Sequence, residues 1–403
     1  MDSITRRQFL VGAGITTAVL GAGALSGCAN GLFPAQLAFA GTGSAPRTDR
    51  TLVVIQMAGG NDGLNTLIPY QNDAYYNNRP TIAVKADAVL PLDEQVGLSP
   101  ALAGIHRLYG AGRVAIAQGV GYPKPDRSHF RSMDIWNLAD PDTRAQQGWL
   151  ARYMASTPDA NHPMRAVVIG NQMLLALSGE LSVPVIPSLN NYKLAKETAL
   201  VEAFKQMYAT AASTDPYLSV KRKGNSLIAS VEQVERLKGT SQGYPSTTLG
   251  RALADAAALI KGETQTQVIY TQLGGFDTHA GQVQTQTNQL KQVDEAVSHF
   301  CQDLDESGKA DQVLLLLFSE FGRRVHENAS GGTDHGTAGP VFFIGAPVKG
   351  GLYGEYPSLT DLDQGDLKFT TDFRRLYATV IDRFLGGSSE TVLGGRFDPI
   401  DFM

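Results

Sequence analysis

Three short apolar runs in this sequence each stop shortly before an acidic residue. Residues 53–57 precede Asp62, residues 268–270 precede Asp277, and residues 314–318 precede Glu320. Short runs that are apolar on both faces are typical of buried parallel strands. Because ligands of open α/β sheets bind beyond the carboxyl ends of the strands, acids repeated at that edge predict a metal-dependent centre.

Asp277 and His279 form the most specific pair of candidate ligands. They lie two residues apart in the glycine-rich segment Gly274-Gly275-Phe276-Asp277-Thr278-His279. A carboxylate oxygen and an imidazole nitrogen can both bind one zinc or manganese ion. The alternative is that Asp277 or Thr278 caps the helix that follows.

Asp62 is the candidate ligand after the first run. Glycines flank it in Gly59-Gly60-Asn61-Asp62-Gly63, and glycine permits the close backbone approach that a metal-binding turn often needs. A tight Asn-Asp-Gly turn without a ligand is the alternative.

Glu320 and Arg323 follow the most hydrophobic of the predicted strands. Glu320 is a candidate third ligand, and Arg323 is a candidate for pairing with a carboxylate or for holding an anionic substrate. A simple Glu–Arg ion pair at the strand end is the alternative.

A glycine-rich loop then carries Thr333-Asp334-His335-Gly336. His335 is a candidate ligand, and Asp334 is either a further ligand or a residue that orients the imidazole.

The segment Asp126-Arg127-Ser128-His129-Phe130-Arg131 adds a candidate nucleophile. A serine close to a metal can attack, because the cation stabilises the alkoxide. Arg127 and Arg131 are candidates for holding the anionic oxygens of a substrate, and Ser128 is equally a candidate helix cap.

These residues must be positioned by alternating strands and helices. Strands are predicted at 51–57, 113–118, 165–169, 172–177, 267–273, 312–319 and 341–344. Helices are predicted to run from Ser99-Pro100 to Gly110, from near Ser128, over 282–306, and from residue 371 or 372 to 385. Alternation at this spacing predicts a mostly parallel sheet covered on both faces. Residues 189–261 are mostly helical in pattern and form a candidate insertion or cap, so that 51–403 make one α/β domain.

The composition excludes some classes of protein. A formal net charge of −5, with no dense run of Lys or Arg, excludes a strongly basic nucleic-acid binder. Beyond the first forty residues no apolar stretch reaches the length of a membrane span. Cys301 shares one helical face with Val293, Val297, Phe300 and Leu304, so we expect it in the core.

The N-terminus has the pattern of an export signal. Thr5-Arg6-Arg7-Gln8-Phe9-Leu10 is a twin-arginine signature, followed by an apolar stretch rich in Gly and Ala. Ala38-Phe39-Ala40 predicts a signal peptide over 1–40 with a spacer at 41–50, whereas Leu25-Ser26-Gly27-Cys28 predicts a lipid anchor at Cys28. Both alternatives place the protein in the periplasm or otherwise outside the cytoplasm, exported in the folded state by the twin-arginine machinery.

Five ordered motifs and this signal resemble a bacterial family filed as domain of unknown function fifteen-oh-one. The motifs are Gly59-Gly60-Asn61-Asp62-Gly63-Leu64-Asn65, Ser128-His129-Phe130, Gly275-Phe276-Asp277-Thr278-His279, Ser319-Glu320-Phe321-Gly322-Arg323 and Asp334-His335-Gly336. That family in turn looks like a branch of the alkaline phosphatase and sulfatase superfamily. The resemblance implies a doubly wound α/β/α sandwich of the alkaline-phosphatase-like kind, with metals at the carboxyl edge of the sheet.

By position, the resemblance implies metal ligands at Asp62, Asp277, His279 and His335, and a nucleophile near Ser128. Two departures stand out: Glu320-Phe321 replaces the usual Asp-His pair, and no Cys-x-Pro-x-Arg segment of sulfatases is present. We therefore expect either two divalent ions or one, Zn²⁺ or Mn²⁺ rather than Ca²⁺, since the ligands mix nitrogen and oxygen.

The expected function is hydrolysis of a small phosphate or sulfate ester. The alternative is an exported binding or assembly protein that keeps the fold with a degenerate or structural metal site, since a shared architecture does not fix function.

Overall fold

The computed structural model describes residues 49–157, 162–194, 198–209, 217–237 and 241–403. The predicted signal peptide, Cys28 and most of the predicted spacer lie outside the described residues.

The strands of the described chain are numbered in chain order. They are β1 Thr51–Met57, β2 Leu67–Ile68, β3 Leu90–Pro91, β4 Gly97–Leu98, β5 Val114–Gly121, β6 Ala166–Ile169, β7 Val185–Ile186, β8 Val268–Leu273, β9 Val313–Phe318, β10 Gly339–Ile344, β11 Gly351–Tyr353, β12 Leu362–Asp363, β13 Asp366–Leu367 and β14 Thr371–Asp372.

The α-helices of the same residues are numbered likewise. They are α1 Asp73–Asn78, α2 Ala103–Gly110, α3 His129–Leu138, α4 Trp149–Ala155, α5 Thr198–Met207, α6 Leu218–Glu235, α7 Thr248–Lys261, α8 Gln282–Glu306, α9 Phe373–Thr379 and α10 Ser389–Leu393. A π-helical turn, Val380–Leu385, extends α9.

Within the described chain, nine strands form the main sheet. Its order is β11-β5-β10-β9-β1-β8-β6-β7, with β14 also paired to β5. The central strand β1 runs parallel to both β8 and β9, and β6 is parallel to β8 and β7. The carboxyl ends of β1, β8 and β9 therefore meet at one edge, as the sequence predicts.

One strand in this sheet, β10, runs against its neighbours. It is antiparallel to β9 and to β5, so β5 points in the same direction as β9. Residues that follow β5 consequently reach the same edge as those that follow β1, β8 and β9. Residues that precede β10 reach it too, because the strand begins there.

Two hydrophobic layers sandwich the sheet. Along β1, Val53 and Ile55 face one layer, whereas Leu52 and Val54 face the other. Helices α2, α7 and α8 contribute to the first layer, and helices α3, α4 and α9 contribute to the second. The structure thus confirms the predicted α/β/α sandwich with a mostly parallel sheet.

Most predicted elements are confirmed, some with the predicted bounds. Strand β1 and helix α8 have the predicted bounds, and Ser99 caps the turn before α2 by accepting a hydrogen bond from Ala101 N. The prediction of a strand at 172–177 is wrong: Leu175–Leu177 is a 3₁₀ turn, since a short apolar run does not distinguish a strand from a buried turn. Cys301 is buried in the core, where burial raises the pKa of its thiol to about 12.

The predicted insertion at 189–261 contains α5, α6 and α7. Leu249 and Leu253 of α7 are fully buried in the first layer, to which Val231 and Val234 of α6 also contribute. A cap role for the remainder stays a prediction. Among the described residues, none of the helices is both long enough and apolar enough to cross a membrane.

Candidate metal centre

Side chains from three loops meet at the carboxyl edge of the sheet. Asp277 and His279 follow β8, His129 is the first residue of α3 after β5, and His335 precedes β10. The reversed direction of β10 is what brings His335 to this edge. Ligand atoms of His129, Asp277 and His335 lie within 4.8 Å of one another.

The three imidazoles present the same nitrogen, Nε2, to one carboxylate oxygen. From Asp277 Oδ1 the Nε2 atoms of His279, His335 and His129 lie at 3.0, 3.2 and 3.4 Å. His279 Nε2 and His335 Nε2 lie only 2.9 Å apart. His129 Nε2 is buried and has no hydrogen-bond partner in the described chain.

The opposite nitrogen, Nδ1, of each ring contacts an oxygen that can only accept a hydrogen bond. His129 Nδ1 lies 2.8 Å from Glu320 Oε1, and His279 Nδ1 lies 3.2 Å from Asp334 Oδ1. His335 Nδ1 lies 2.7 Å from the backbone carbonyl oxygen of Arg127. An oxygen acceptor at Nδ1 favours the tautomer with the ring proton on Nδ1, in which Nε2 has a lone pair for a cation.

The charges around Asp277 favour its ionised form. Burial opposes ionisation, but the hydrogen bond and the charge of Arg323 outweigh it and lower the pKa of Asp277 to about 2. The hydrogen bond from Asn328 likewise lowers the pKa of Asp334. Both carboxylates are therefore anionic at neutral pH, as metal ligands and their orienting partners must be.

The imidazoles respond differently to their surroundings. The hydrogen bond to Glu320 raises the pKa of His129, whereas burial lowers the pKa of His335. A lowered pKa keeps His335 neutral and its Nε2 lone pair available at neutral pH.

Glu320 lies behind His129 rather than beside Asp277. It is 1% exposed, and its Oε1 accepts hydrogen bonds from Gly59 N at 2.9 Å and from His129 Nδ1 at 2.8 Å. The carboxylate thus orients an imidazole of the cluster and ties it to the loop after β1.

Asp62 lies apart from the cluster. Its Oδ2 pairs with Arg79 Nη1 at 2.6 Å, with both side chains fully buried, and Gln282 Nε2 donates to the same oxygen. Its Oδ1 accepts a hydrogen bond from Leu64 N at 3.1 Å, which caps a 3₁₀ turn. Both oxygens therefore have protein partners.

Arg323 is buried and holds the loops of the site together. Its Nε donates to Gly60 O, its Nη1 to Thr333 O, and its Nη2 to Asp277 Oδ1 at 2.7 Å. Nη2 also contacts the carbonyl oxygens of Gly59 and Phe276. The guanidinium joins the segments after β1 and β8 and the segment before β10, and it positions Asp277.

The other candidate arginines point to protein partners. Arg127 donates through Nε and Nη2 to Asp366, and Arg131 donates to Thr143 Oγ1 and Pro141 O. Ser128 is exposed at the N-cap of α3, and its side chain makes no capping hydrogen bond. Ser128 directly precedes His129, and its role stays a prediction.

His129 is the residue of this cluster that our sequence analysis did not select as a ligand. It lies in the Ser128-His129-Phe130 motif, where the adjacent serine indicates nucleophilic chemistry. The signal available was a histidine at the start of a helix that follows a strand. His129 follows β5, which lies beyond the reversed strand β10 in the sheet, and this strand order has no local sequence pattern.

Gly59 permits the close packing of two loops at this edge. Its φ is +120°, and a Cβ there would lie 2.5 Å from Asp277 N. A side chain at this position would separate the loop after β1 from the loop that carries Asp277 and His279.

Comparisons with known proteins complete the description. No curated protein matches the sequence. A protein in the alkaline phosphatase superfamily from Vibrio parahaemolyticus is similar in fold, with 9% identity and a TM-score of 0.41, over 87% of this chain and 71% of that chain. The phosphonate monoester hydrolase of Agrobacterium radiobacter has 9% identity and a TM-score of 0.39, over 86% and 78% of the two chains.

A third similar structure is the C-terminal periplasmic domain of EcEptC from Escherichia coli in complex with Zn. It has 11% identity and a TM-score of 0.33, over 76% of this chain and 74% of that chain. The family model described as "Protein of unknown function (DUF1501)" matches residues 116–388, which are 273 of the 403 residues and include His129, Asp277, His279 and His335. The chain belongs to this family.

Proposed function

We propose that this protein is a metal-dependent hydrolase of phosphate or sulfate esters, with one divalent cation held by His129, Asp277, His279 and His335. The observation that carries the proposal is the convergence of three imidazole Nε2 atoms on Asp277 Oδ1, with every Nδ1 occupied by an oxygen acceptor. This arrangement is the one by which proteins orient histidines for a metal.

The lone-pair-bearing atoms of the cluster are better placed to bind a cation than to hydrogen-bond with one another. His279 Nε2 and His335 Nε2 lie 2.9 Å apart, and in the tautomer with the proton on Nδ1 neither can donate to the other. The buried His129 Nε2 has no hydrogen-bond partner in the described residues. An unpaired buried acceptor such as His129 Nε2 is costly, and a cation beside it removes that cost. Three nitrogens and one carboxylate oxygen suit Zn²⁺ or Mn²⁺ rather than Ca²⁺.

The charges favour one ion over two. Asp62, a ligand implied by resemblance, is neutralised by the buried Arg79. A second divalent ion near Asp62 would compete with this guanidinium group. We therefore assign the binding of metal to the histidine cluster alone, with Glu320 and Asp334 orienting His129 and His279.

When bound, a divalent ion supplies electrostatic stabilisation of the negative charge that develops on an ester oxygen. The chain's own groups would hold and orient the reacting parts. Ser128, exposed directly before His129, is the proposed nucleophile, with attack by water as the alternative. We also propose that the protein acts outside the cytoplasm, on the strength of its twin-arginine signature.

A second candidate function is supported by a specific observation. The guanidinium groups of Arg127, Arg131 and Arg323 all bond to protein partners, so none of these three is directed to a substrate anion. That favours a non-catalytic binding or assembly protein with a structural metal. The two candidates share the metal and differ in turnover.

The first experiment measures metal content by mass spectrometry on protein purified without chelator. We expect about one Zn or Mn per chain in the wild type and loss of the ion in the Asp277→Ala/His335→Ala double variant. His106→Ala is the matched control, because His106 contacts Pro91 O away from the cluster. A folded wild type that binds no metal after reconstitution contradicts the proposal.

Activity then separates the two candidates. The metal-loaded protein is assayed with p-nitrophenyl phosphate and p-nitrophenyl sulfate beside the metal-free double variant. Turnover lost in Ser128→Ala supports the serine as nucleophile, and turnover kept in that variant supports water. Stoichiometric metal without turnover of any ester supports the structural-metal candidate.

A further inference from the structure

A buried acid in a hairpin outside the histidine cluster contacts Arg127. Asp366 begins β13, which pairs with β12, and it is 1% exposed. Its Oδ2 accepts hydrogen bonds from both Nε and Nη2 of Arg127, the former at 2.6 Å. Two donors from one guanidinium on one carboxylate oxygen fix the position of that arginine.

Arg127 in turn contacts the imidazole of His335 through its backbone. Its backbone carbonyl oxygen lies 2.7 Å from His335 Nδ1 and can only accept a hydrogen bond. The orientation of His335 and the proton on its Nδ1 thus depend on where the backbone of Arg127 lies. The side chain of the same residue is bonded to Asp366, which ties this backbone segment to β13.

The hairpin also contacts residues near His335 other than Arg127. Arg324 Nε lies 3.6 Å from Asp366 Oδ1, and Arg324 N donates to Asp334 O at 3.0 Å. Thr337, two residues after His335, donates through its hydroxyl to Leu367 O. The segment after His335 is therefore bonded directly to β13, and the segment before it is linked to β13 through Arg324.

We propose that Asp366 is a positioning residue for His335, acting through the Arg127 carbonyl to hold Nε2 toward Asp277. The inference rests on the proposed metal centre for its purpose, and on the contacts above for its geometry. Its ionised carboxylate is required, because an amide accepts more weakly from a guanidinium and does not neutralise Arg127. Loss of a group that orients a metal-binding histidine typically weakens metal binding by about 10–100-fold.

The test uses Asp366→Asn and Arg127→Ala. Nitrogen NMR of the metal-free protein reports the tautomer of His335, with its signals assigned by their absence in His335→Gln. Zinc affinity is measured by competition with a chromophoric chelator. We expect both variants to lose the uniform Nδ1–H signature of His335 and to bind zinc about 10–100-fold more weakly. Arg127→Lys, which keeps the charge, should recover part of the affinity.

Asp361→Asn is the matched control. Asp361 pairs with Lys368 just outside the same hairpin, and both side chains are at least half exposed. Its loss should leave the His335 signals and the zinc affinity at wild-type values, because a surface pair contributes little. If Asp366→Asn does not fold, the measurements on Arg127→Ala test the proposal by themselves. The Arg127 side chain is 37% exposed, so its removal does not leave a cavity in the core.

The outcomes separate the two proposals. Wild-type nitrogen signals and wild-type zinc affinity in both variants overturn the positioning role. Altered His335 signals in a protein that binds no zinc in any form support the positioning role and overturn the metal centre. Reduced stability alone, with unchanged signals and affinity, identifies Asp366 as a purely structural residue.

Discussion

Single residues in this site differ in which of their polar atoms already have hydrogen-bond partners. The imidazoles of His129, His279 and His335 have the same side-chain chemistry as His106, which contacts a lone carbonyl oxygen. What distinguishes them is an oxygen acceptor at every Nδ1 and a shared direction for every Nε2. The same reasoning separates Asp277, which faces three Nε2 atoms, from Asp62, whose oxygens have protein donors.

The Asp62–Arg79 pair gives a prediction at this scale. Asp62→Asn leaves the buried guanidinium of Arg79 without its counter-charge, and we expect the free energy of unfolding to fall by about 3–5 kcal/mol. Urea unfolding of the metal-free protein measures this change. Metal content should stay at the wild-type value in whatever fraction remains folded.

Asp142→Asn serves as the control for Asp62→Asn. Its partner Arg144 is on the surface, with side chains 62% and 84% exposed, so we expect a change of at most about 1 kcal/mol. Metal loss with unchanged stability in Asp62→Asn would instead make Asp62 a ligand.

At the scale of elements, strand direction decides which loops meet. Residues after β5, β8 and β9 and residues before β10 share one edge because β10 alone is reversed between β9 and β5. Asn61-Asp62-Gly63 follows β1 at the same edge, but its acid turns toward Arg79 and α8. A position at the correct edge is therefore necessary for the cluster, and side-chain partners decide the rest.

The packing of α7 gives a prediction with a pH dependence. Asp255 of α7 is 5% exposed, accepts a hydrogen bond from Leu189 N at 3.1 Å, and has its pKa raised by burial to about 6. A carboxyl whose folded pKa is above its unfolded value contributes stability at low pH that is lost as pH rises through the folded pKa. We expect this contribution to disappear between about pH 4 and pH 6.

Asp255→Asn should abolish this loss of stability at higher pH, because a neutral amide still accepts the hydrogen bond from Leu189 N and does not ionise. The variant should gain about 1–3 kcal/mol over the wild type at pH 8 and little at pH 4. Urea unfolding at the two pH values measures the difference. An equal effect at both values would show that the carboxyl does not change its charge in this range.

At the scale of the whole molecule, two hydrophobic layers support the carboxyl edge of the sheet, where the histidine cluster lies. Helices on both faces bury the sheet, so the loops at its carboxyl edge are held by a rigid base. Buried Arg323 adds contacts among three of those loops. A site assembled this way exists only in the folded chain, which is consistent with the predicted export of a folded protein.

Export gives the prediction for the whole chain. Replacing Arg6 and Arg7 by lysine removes the twin-arginine signature, and we expect the full-length protein to stay in the cytoplasm. Cell fractionation measures its location, with Arg47→Lys in the predicted spacer as the control. A double variant that still leaves the cytoplasm would assign the chain to another pathway.

Local patterns in the sequence predict several of the strands and helices of this fold, some with their bounds. The bounds of β1 and α8 follow from the apolar run and from the helical period, and the cap at Ser99 follows from Ser-Pro order. The pattern predicts a strand at 172–177, where the structure has the 3₁₀ turn Leu175–Leu177, because the five apolar residues 173–177 fit a buried turn as well as a strand.

The sequence by itself determined the fold class, the edge of the sheet at which the candidate residues lie, and the segments that contain Asp277, His279, Glu320 and His335. Only the tertiary structure decided that His129 joins Asp277, that Asp62 pairs with Arg79, and that Arg127 bonds to Asp366. The physical reason is that periodicity and strand ends are local properties of the chain. Which side chains meet depends on strand order and direction, and on the competition among many acceptors for a few buried donors.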